Sequence, residues 1–320
     1  MNKTKFAIGC LVQWYECDII GEYIETLKEA IDEYDGEVIV DFHISLNQDL
    51  EKCTSDEQFQ KCVDQILLEF DNAHKYVGTV SGINETNLIT IADYRREFND
   101  KYCEQADVLV WGESDMLVPK QAFVILDHLH QNSPTPKYLA TFGICKMWDD
   151  TWKILEHPDF TDKPFIGGDT KNWWSLRYTM TKDEMNKINE KTNQPEVYTA
   201  PQHKFNGCGL VISSEVIKSG VNIPRSVFFV HEDTAFMLMT QRVLGNIPQY
   251  IIKNILVVHN RKHPNKRMHI KGEENIDKTD TGALRKTHSW YSKANKMCEQ
   301  NCYNNFTPNY KPYTWNDVWK

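Results

Sequence analysis

The 320-residue chain contains no apolar run long enough to cross a bilayer, so no membrane-spanning helix is expected. It has no Cys-x-x-Cys pair. Its nine cysteines, an odd number, are scattered from Cys10 to Cys302, which argues against both a disulfide framework and a zinc knuckle. Reduced thiols and a cytoplasmic location are the matching expectation, and with them unused sequons at Asn84-Glu85-Thr86 and Asn305-Phe306-Thr307. Positive charge is scarce in the first 120 residues, where 10 Lys and Arg stand against 25 Asp and Glu; the remaining 200 carry 26 against 20. A half with that acidic excess does not read as a general nucleic-acid binder. An early glycine-rich, basic phosphate loop is missing too, and the first loop, QWYECD, is acidic and aromatic. No internal repeat or low-complexity linker occurs. The basic, then apolar N-terminus lacks a small-residue cleavage site, and its short apolar run ends at Glu16 and Asp18, so it reads as a first strand.

What is present alternates between two periods. KFAIGCLVQW (5–14) and EVIVDFHISL (37–46) read as buried strands. Between them Ile20, Tyr23, Ile24, Leu27 and Ile31 fall on one helical face, with Asp18 as N-cap and Asp35-Gly36 as stop. Strand, helix, strand with continuous apolar strands predicts a parallel α/β unit. Helices are predicted over 55–75 and 87–106, a strand over 106–112, a helix after Pro119 and a strand over 137–145. Further strands are predicted over 207–213, around Phe228–Val230 and over 254–260, with a helix from Asp233 to Leu244. Residues 149–203 have no clean period and hold Gly167-Gly168 and Trp173-Trp174, the pattern of a functional or flexible loop.

Three stretches carry candidate chemistry. In VLVWGESDMLVP (108–119) a core strand ends at Gly112 and delivers Glu113 and Asp115. Ligands of open α/β sheets bind beyond the carboxyl ends of strands, and carboxylates there suit a hard divalent ion; acids are also common wherever a strand reaches water. In FFVHEDTAFMLMTQRVLG (228–245), Asp233 is either a helix cap or a general base. In ILVVHNRKHP (255–264), His259 ends an apolar run as a polar strand end or a metal ligand. The basic stretch RKHPNKRMHIKG (261–272) is a solvated loop or an anion site.

Taken in order, these motifs resemble the nucleotide-sugar-dependent glycosyltransferases of the GT-A fold, in particular the large inverting family 2. The first strand runs into Gln13-Trp14-Tyr15-Glu16 and a helix, the second holds Asp41, and YRREFN (94–99) precedes the acidic strand. The family's Asp-x-Asp corresponds to Glu113-Ser114-Asp115, its glycine-rich acceptor segment to Asn206-Gly207-Cys208-Gly209, its Glu-Asp pair to Glu232-Asp233, and its late histidine to His259. Two departures stand out. Glu113 replaces an Asp, and the second strand lacks the usual Asp-x-Ser/Thr-x-Asp loop. The resemblance spans about residues 5–262.

It implies a Rossmann-like, mostly parallel sheet flanked by helices. A single domain over 1–272 would split into a nucleotide-sugar half (1–120) and an acceptor half (121–272), with 273–320 packing on it as a C-terminal extension. It implies Mn²⁺ or Mg²⁺ held by Glu113, Asp115 and His259, with Arg261 or Lys262 near the phosphates. Donor contacts fall to Tyr15, Glu16, Asp41, Arg96, Glu113 and Asp115, and acceptor contacts to Asn206 and Gly207; Trp173 and Trp174, in the irregular loop, read either as a core patch or as a stacking platform on the acceptor side. Asp233 becomes the base and Glu232 the residue that positions the acceptor. The donor would be a UDP-sugar or similar. The acceptor is left open among glycans, other hydroxyl-bearing molecules and a modified nucleobase in nucleic acid. Two competing readings are a nucleotidyltransferase and a non-catalytic carbohydrate-binding protein on the same fold.

Overall fold

The computed structural model describes residues 2–45, 56–71, 77–81, 89–143, 147–148, 181–200, 204–259 and 289–320. The first part of the chain forms β1 (Phe6–Gln13), α1 (Ile20–Asp32), β2 (Val38–Ser45), α2 (Asp56–Asp71), β3 (Val77–Ser81), α3 (Ile91–Tyr102) and β4 (Val108–Trp111). Next come β5 (Met116–Leu117), α4 (Ala122–Asn132), β6 (Leu139–Phe142), β7 (Met147–Trp148), α5 (Lys182–Asn189), β8 (Val197–Ala200) and β9 (Lys204–Phe205). The remainder holds β10 (Leu210–Ser213), α6 (Ser214–Lys218), α7 (Glu232–Leu244), β11 (Gln249–Ile252), β12 (Val258–His259), α8 (Ser289–Asn304) and α9 (Trp315–Trp319).

Among the described residues the main sheet has the order β3-β2-β1-β4-β10-β6-β11-β8. Its strands run parallel except β10 and β8, which are antiparallel to their neighbours. The fold is therefore α/β with a mostly parallel sheet, as the alternating periods predict. β1 is buried on both faces, which is why its sequence is continuously apolar. Phe6, Ile8, Cys10 and Val12 join one core with Tyr23 and Leu27 of α1 and Phe123 of α4. Ala7 and Leu11 join the other with Phe98 of α3, Trp111 of β4 and Phe236 of α7. Gly9 lies between Ala7 and Leu11 on that second face, where any Cβ would sit 2.5 Å from the Phe98 ring. Among the described residues seven cysteines are buried thiols outside any disulfide.

Several expectations need correction. Asp18 does not cap α1; the N-cap is Ile19, without a side-chain bond. Phe228–Val230 is not a strand. Phe228 and Phe229 both enter a third cluster with α8 and α9, at 5.0 Å and 5.6 Å from the Trp315 ring, which an alternating strand could not do. Of the strand predicted over 254–260, Val258–His259 is what pairs among the described residues, and the Asn189 side-chain amide takes both backbone groups of Leu256 (2.7 and 3.0 Å).

Candidate active site

The site starts from the way β4 ends. Val108 to Trp111 are buried, and the Gly112 N–H donates back to the Gly9 carbonyl at 2.8 Å. A side chain at Gly112 would collide with the Tyr23 hydroxyl, so only glycine lets the chain leave the sheet here. Glu113, Ser114 and Asp115 then form a turn closed by the Met116 N–H on the Glu113 carbonyl at 2.9 Å. β5 follows at once and pairs antiparallel with β12, setting Met116 opposite His259. That pairing, joining segments about 140 residues apart in the sequence, brings His259 over the acids. Its Nε2 lies 2.9 Å from Glu113 Oε2 and 3.0 Å from Asp115 Oδ1. Asp115 is buried, whereas Glu113 and His259 stay partly open.

Arg95 of α3 ties this turn to the start of α7. Its guanidinium is 2% exposed, lies 4.7 Å over the Trp111 ring, and donates from Nη1 to Glu232 Oε1 at 2.5 Å. From Nη2 it donates to Glu113 Oε1 at 2.7 Å and to the Gly207 carbonyl at 3.1 Å. Trp111 is itself held by its Nε1–H on Asn99 Oδ1 at 2.9 Å. Gly207 must be glycine, since a Cβ would overlap the guanidinium. Burial alone would lower the Arg95 pKa, but the charges of Glu232 and Glu113 hold it above its ordinary value.

The acids diverge in their environments. Burial pushes Glu113 up, yet His259 and Arg95 outweigh it and hold the carboxyl down at about 2. Glu232 is pushed up to about 7 by burial, only partly offset by Arg95. Asp233 is raised as well, by burial first and despite the Thr234 N–H that donates to its Oδ1 at 2.6 Å. His231, the N-cap of α7, is left-handed (φ 68°), and its Nε2 meets Asn295 Oδ1 of α8 at 2.6 Å.

The other predicted site residues lie as follows. Arg96 points away from the acids and donates to the carbonyls of Ile223, Pro224 and Val227 and to Asp93 Oδ1, anchoring the segment that leads to α7. It is Arg95, not Arg96, that enters the cluster. Asp41 is buried, its carboxylate accepting from the hydroxyls of Tyr94 and Tyr102 and from Lys101 Nζ. Glu16 is buried, and its Oε2 accepts from the Gln13 N–H at 2.8 Å, closing the turn in which Tyr15 also sits. Asn206 Oδ1 accepts from the Cys208 N–H at 2.9 Å. Trp173, Trp174, Gly167, Gly168, Arg261 and Lys262 lie outside the described residues. Sequence reasoning missed Arg95 and Cys208. Arg95 falls on the buried stripe of α3 with Phe98 and Tyr102, and an arginine on such a stripe is the signal that would have found it.

The donor set suits a divalent ion. Among the described residues the ligand atoms of Glu113, Cys208 and His259 all lie within 4.8 Å of one another, and Asp115 reaches the same imidazole at 3.0 Å, so oxygen and nitrogen donors are at hand for an ion. Arg95 on the second oxygen of Glu113 orients the first toward His259, as an outer-shell partner would.

No protein-family model matches the chain, and no curated protein matches it by sequence. Among solved structures it is similar to S. aureus TarS 1–349 in complex with UDP, with 12% identity, 96% of this chain and 75% of that one covered, and a TM-score of 0.44. It is also similar to a longer S. aureus TarS chain at 12% identity, covering 83% of this chain but 38% of that one, with a TM-score of 0.41. A third is glucosyl-3-phosphoglycerate synthase from Mycobacterium tuberculosis in complex with Mn²⁺, UDP and glucosyl-3-phosphoglycerate. There the identity is 12%, the coverage 84% of this chain and 77% of that one, and the TM-score 0.42. At such identities and scores the likeness is distant.

Proposed function

We propose that the chain is a metal-dependent glycosyltransferase that moves a sugar from a nucleoside-diphosphate sugar to an acceptor hydroxyl with inversion. The observation that carries this reading is that His259 meets both Glu113 and Asp115, with Glu113 linked through Arg95 to Glu232 beside Asp233. Glu113, Asp115 and His259 would hold Mn²⁺ or Mg²⁺, which as a Lewis acid offsets the charge that develops on a leaving diphosphate. Glu113, whose carboxyl His259 and Arg95 hold below the usual carboxylate range, suits the role of ligand. Asp233, raised by burial while Glu113 is held low, takes the proton of the attacking hydroxyl. Environments that push neighbouring carboxyls apart in this way separate the ligand from the base. Glu232, gripped by Arg95, stays fixed and positions the acceptor. Asn206 and Gly207, on the loop that Arg95 holds, line the acceptor side, and Tyr15 and Glu16 lie at the carboxyl end of β1, on the donor side.

The test is incubation with a panel of nucleotide-sugars, with Mn²⁺ or with chelator, read as nucleotide release. Slow donor hydrolysis that chelator stops is the expected result. A non-catalytic sugar-binding protein would release nothing, and a nucleotidyltransferase would instead release pyrophosphate from nucleoside triphosphates.

A further inference from the structure

We infer that the Cys208 thiol belongs to the metal donor set, making the centre a mixed oxygen, nitrogen and sulfur site that grips softer divalent ions such as Zn²⁺ or Co²⁺. The inference rests on the metal reading above and goes beyond it, because carboxylates and a histidine supply oxygen and nitrogen donors only, without the soft ligand that a thiolate adds. The ligand atoms of Glu113, Cys208 and His259 all lie within 4.8 Å of one another. That placement is enforced by the backbone on both sides of Cys208. The Gly207 carbonyl accepts from Arg95 at 3.1 Å, the Cys208 N–H donates to Asn206 Oδ1 at 2.9 Å, and the Gly209 N–H donates to the Trp111 carbonyl at 2.9 Å. Gly209 is left-handed at φ 69°, turning the chain back into β10 immediately after the thiol. One guanidinium thus fixes both the Glu113 carboxylate and the loop that carries the sulfur.

The chemistry follows from ligand softness. A thiolate bonds Zn²⁺ at about 2.3 Å and an imidazole at about 2.0–2.1 Å, so two tetrahedral ligands lie roughly 3.5 Å apart. Closing a spread of at most 4.8 Å to that separation takes no more than about 1.3 Å, within reach of a side-chain adjustment. On binding, the S–H bond breaks, its proton leaves to solvent, and the sulfur electron pair forms the metal bond, so one unit of the ion's charge is neutralised. Soft ions gain from the sulfur and Mg²⁺ does not. The bland alternative is that Cys208, 3% exposed, is a small apolar group in the core cluster it borders.

Cobalt distinguishes the two. Titrating the metal-free, full-length protein with Co²⁺ should produce visible d–d bands together with a near-ultraviolet thiolate-to-cobalt charge-transfer band. Cys208→Ser should remove the charge-transfer band and keep the d–d bands, which excludes the other eight cysteines as its source. Zn²⁺ affinity, by competition, should fall by about tenfold or more in Cys208→Ser while Mn²⁺ affinity changes little, as ligand softness requires. Cys208→Ala, with its melting curve, controls for loss of fold. A charge-transfer band that is absent from the parent protein, or that persists in both variants, overturns the inference. If Co²⁺ and Mn²⁺ bind without that band, only the role of Cys208 falls. If neither ion binds, the metal reading under the proposed function falls with it.

Discussion

At the scale of single residues, the cluster turns on the difference between an acid that is paired and one that is merely buried. Asp115 is buried with its Oδ1 3.0 Å from His259, and the Arg95 bridge runs through Glu113 and Glu232, so removing the Asp115 carboxylate removes a ligand candidate while that bridge stays. Asp115→Ala should lower nucleotide-sugar turnover by at least about 10²-fold, as the loss of a group stabilising transition-state charge does. Retained chelator-sensitive activity would discard the metal assignment. Asp233→Asn keeps the shape and an oxygen for the Thr234 N–H but cannot take up a proton as a carboxylate does. It should leave donor affinity intact while transfer falls by about 10²–10⁴-fold, checked by comparing calorimetric nucleotide binding with kcat; a small rate change would make Asp233 only a first-turn acid of α7. Arg95 belongs to another class, since its loss leaves Glu113 and Glu232 facing each other in the interior. Arg95→Met should destabilise the fold by about 3–5 kcal/mol, the usual effect of stranding a buried charge, measured by urea denaturation. The sequence named the acids because they follow a strand or open a helix. It hid Arg95, because the neighbouring Arg96 is chemically identical and only the phase of α3 separates them.

At the scale of elements, what could be read from sequence was set by how much of each segment is held by its own periodicity. α1, α4, β1 and β2 are stabilised by stripes that the period reveals, and they were legible. Leu256, just before β12, and the Phe228–Phe229 segment are held instead by distant partners, Asn189 and the C-terminal tryptophans, and no local pattern announces them. The same is true of the start of α7. A left-handed His231 costs about 1–3 kcal/mol of local strain, and Asn295 of α8 bonds the ring that sits there. That bond fixes the phase at which Glu232 and Asp233 enter the helix. Asn295→Leu should therefore reduce kcat by about tenfold while lowering stability by only about 1 kcal/mol, the usual worth of one hydrogen bond. His231→Gly adopts the same backbone freely and should retain stability. If the two variants change rate and melting temperature in parallel, α8 supports the fold and not the site.

At the scale of the whole molecule, the cluster is where the two halves of the charge pattern meet. Glu113 and Asp115 come from the acidic first 120 residues, Glu232, Asp233 and His259 from the remainder, and Arg95 with His259 faces four carboxylates. This arrangement has a pH signature. Glu232, raised to about 7 from an unfolded value near 4.5, gives a contribution to stability that is complete below pH 4.5 and is lost as pH rises through 7. Glu113, lowered to about 2, gives one that is present above pH 4.5 and is lost as pH falls toward 2. The metal-free protein should thus melt at progressively lower temperature between pH 5 and pH 8, and Glu232→Gln should flatten that decline. A divalent ion opposes the excess negative charge and requires a deprotonated imidazole, so it should stabilise more at pH 8 than at pH 5. Saturation at 100 times Kd corresponds to about 2.7 kcal/mol, a rise of several degrees in melting temperature at pH 8. Equal shifts at both pH values, or a full shift surviving in Asp115→Asn, would place the ion somewhere other than this cluster.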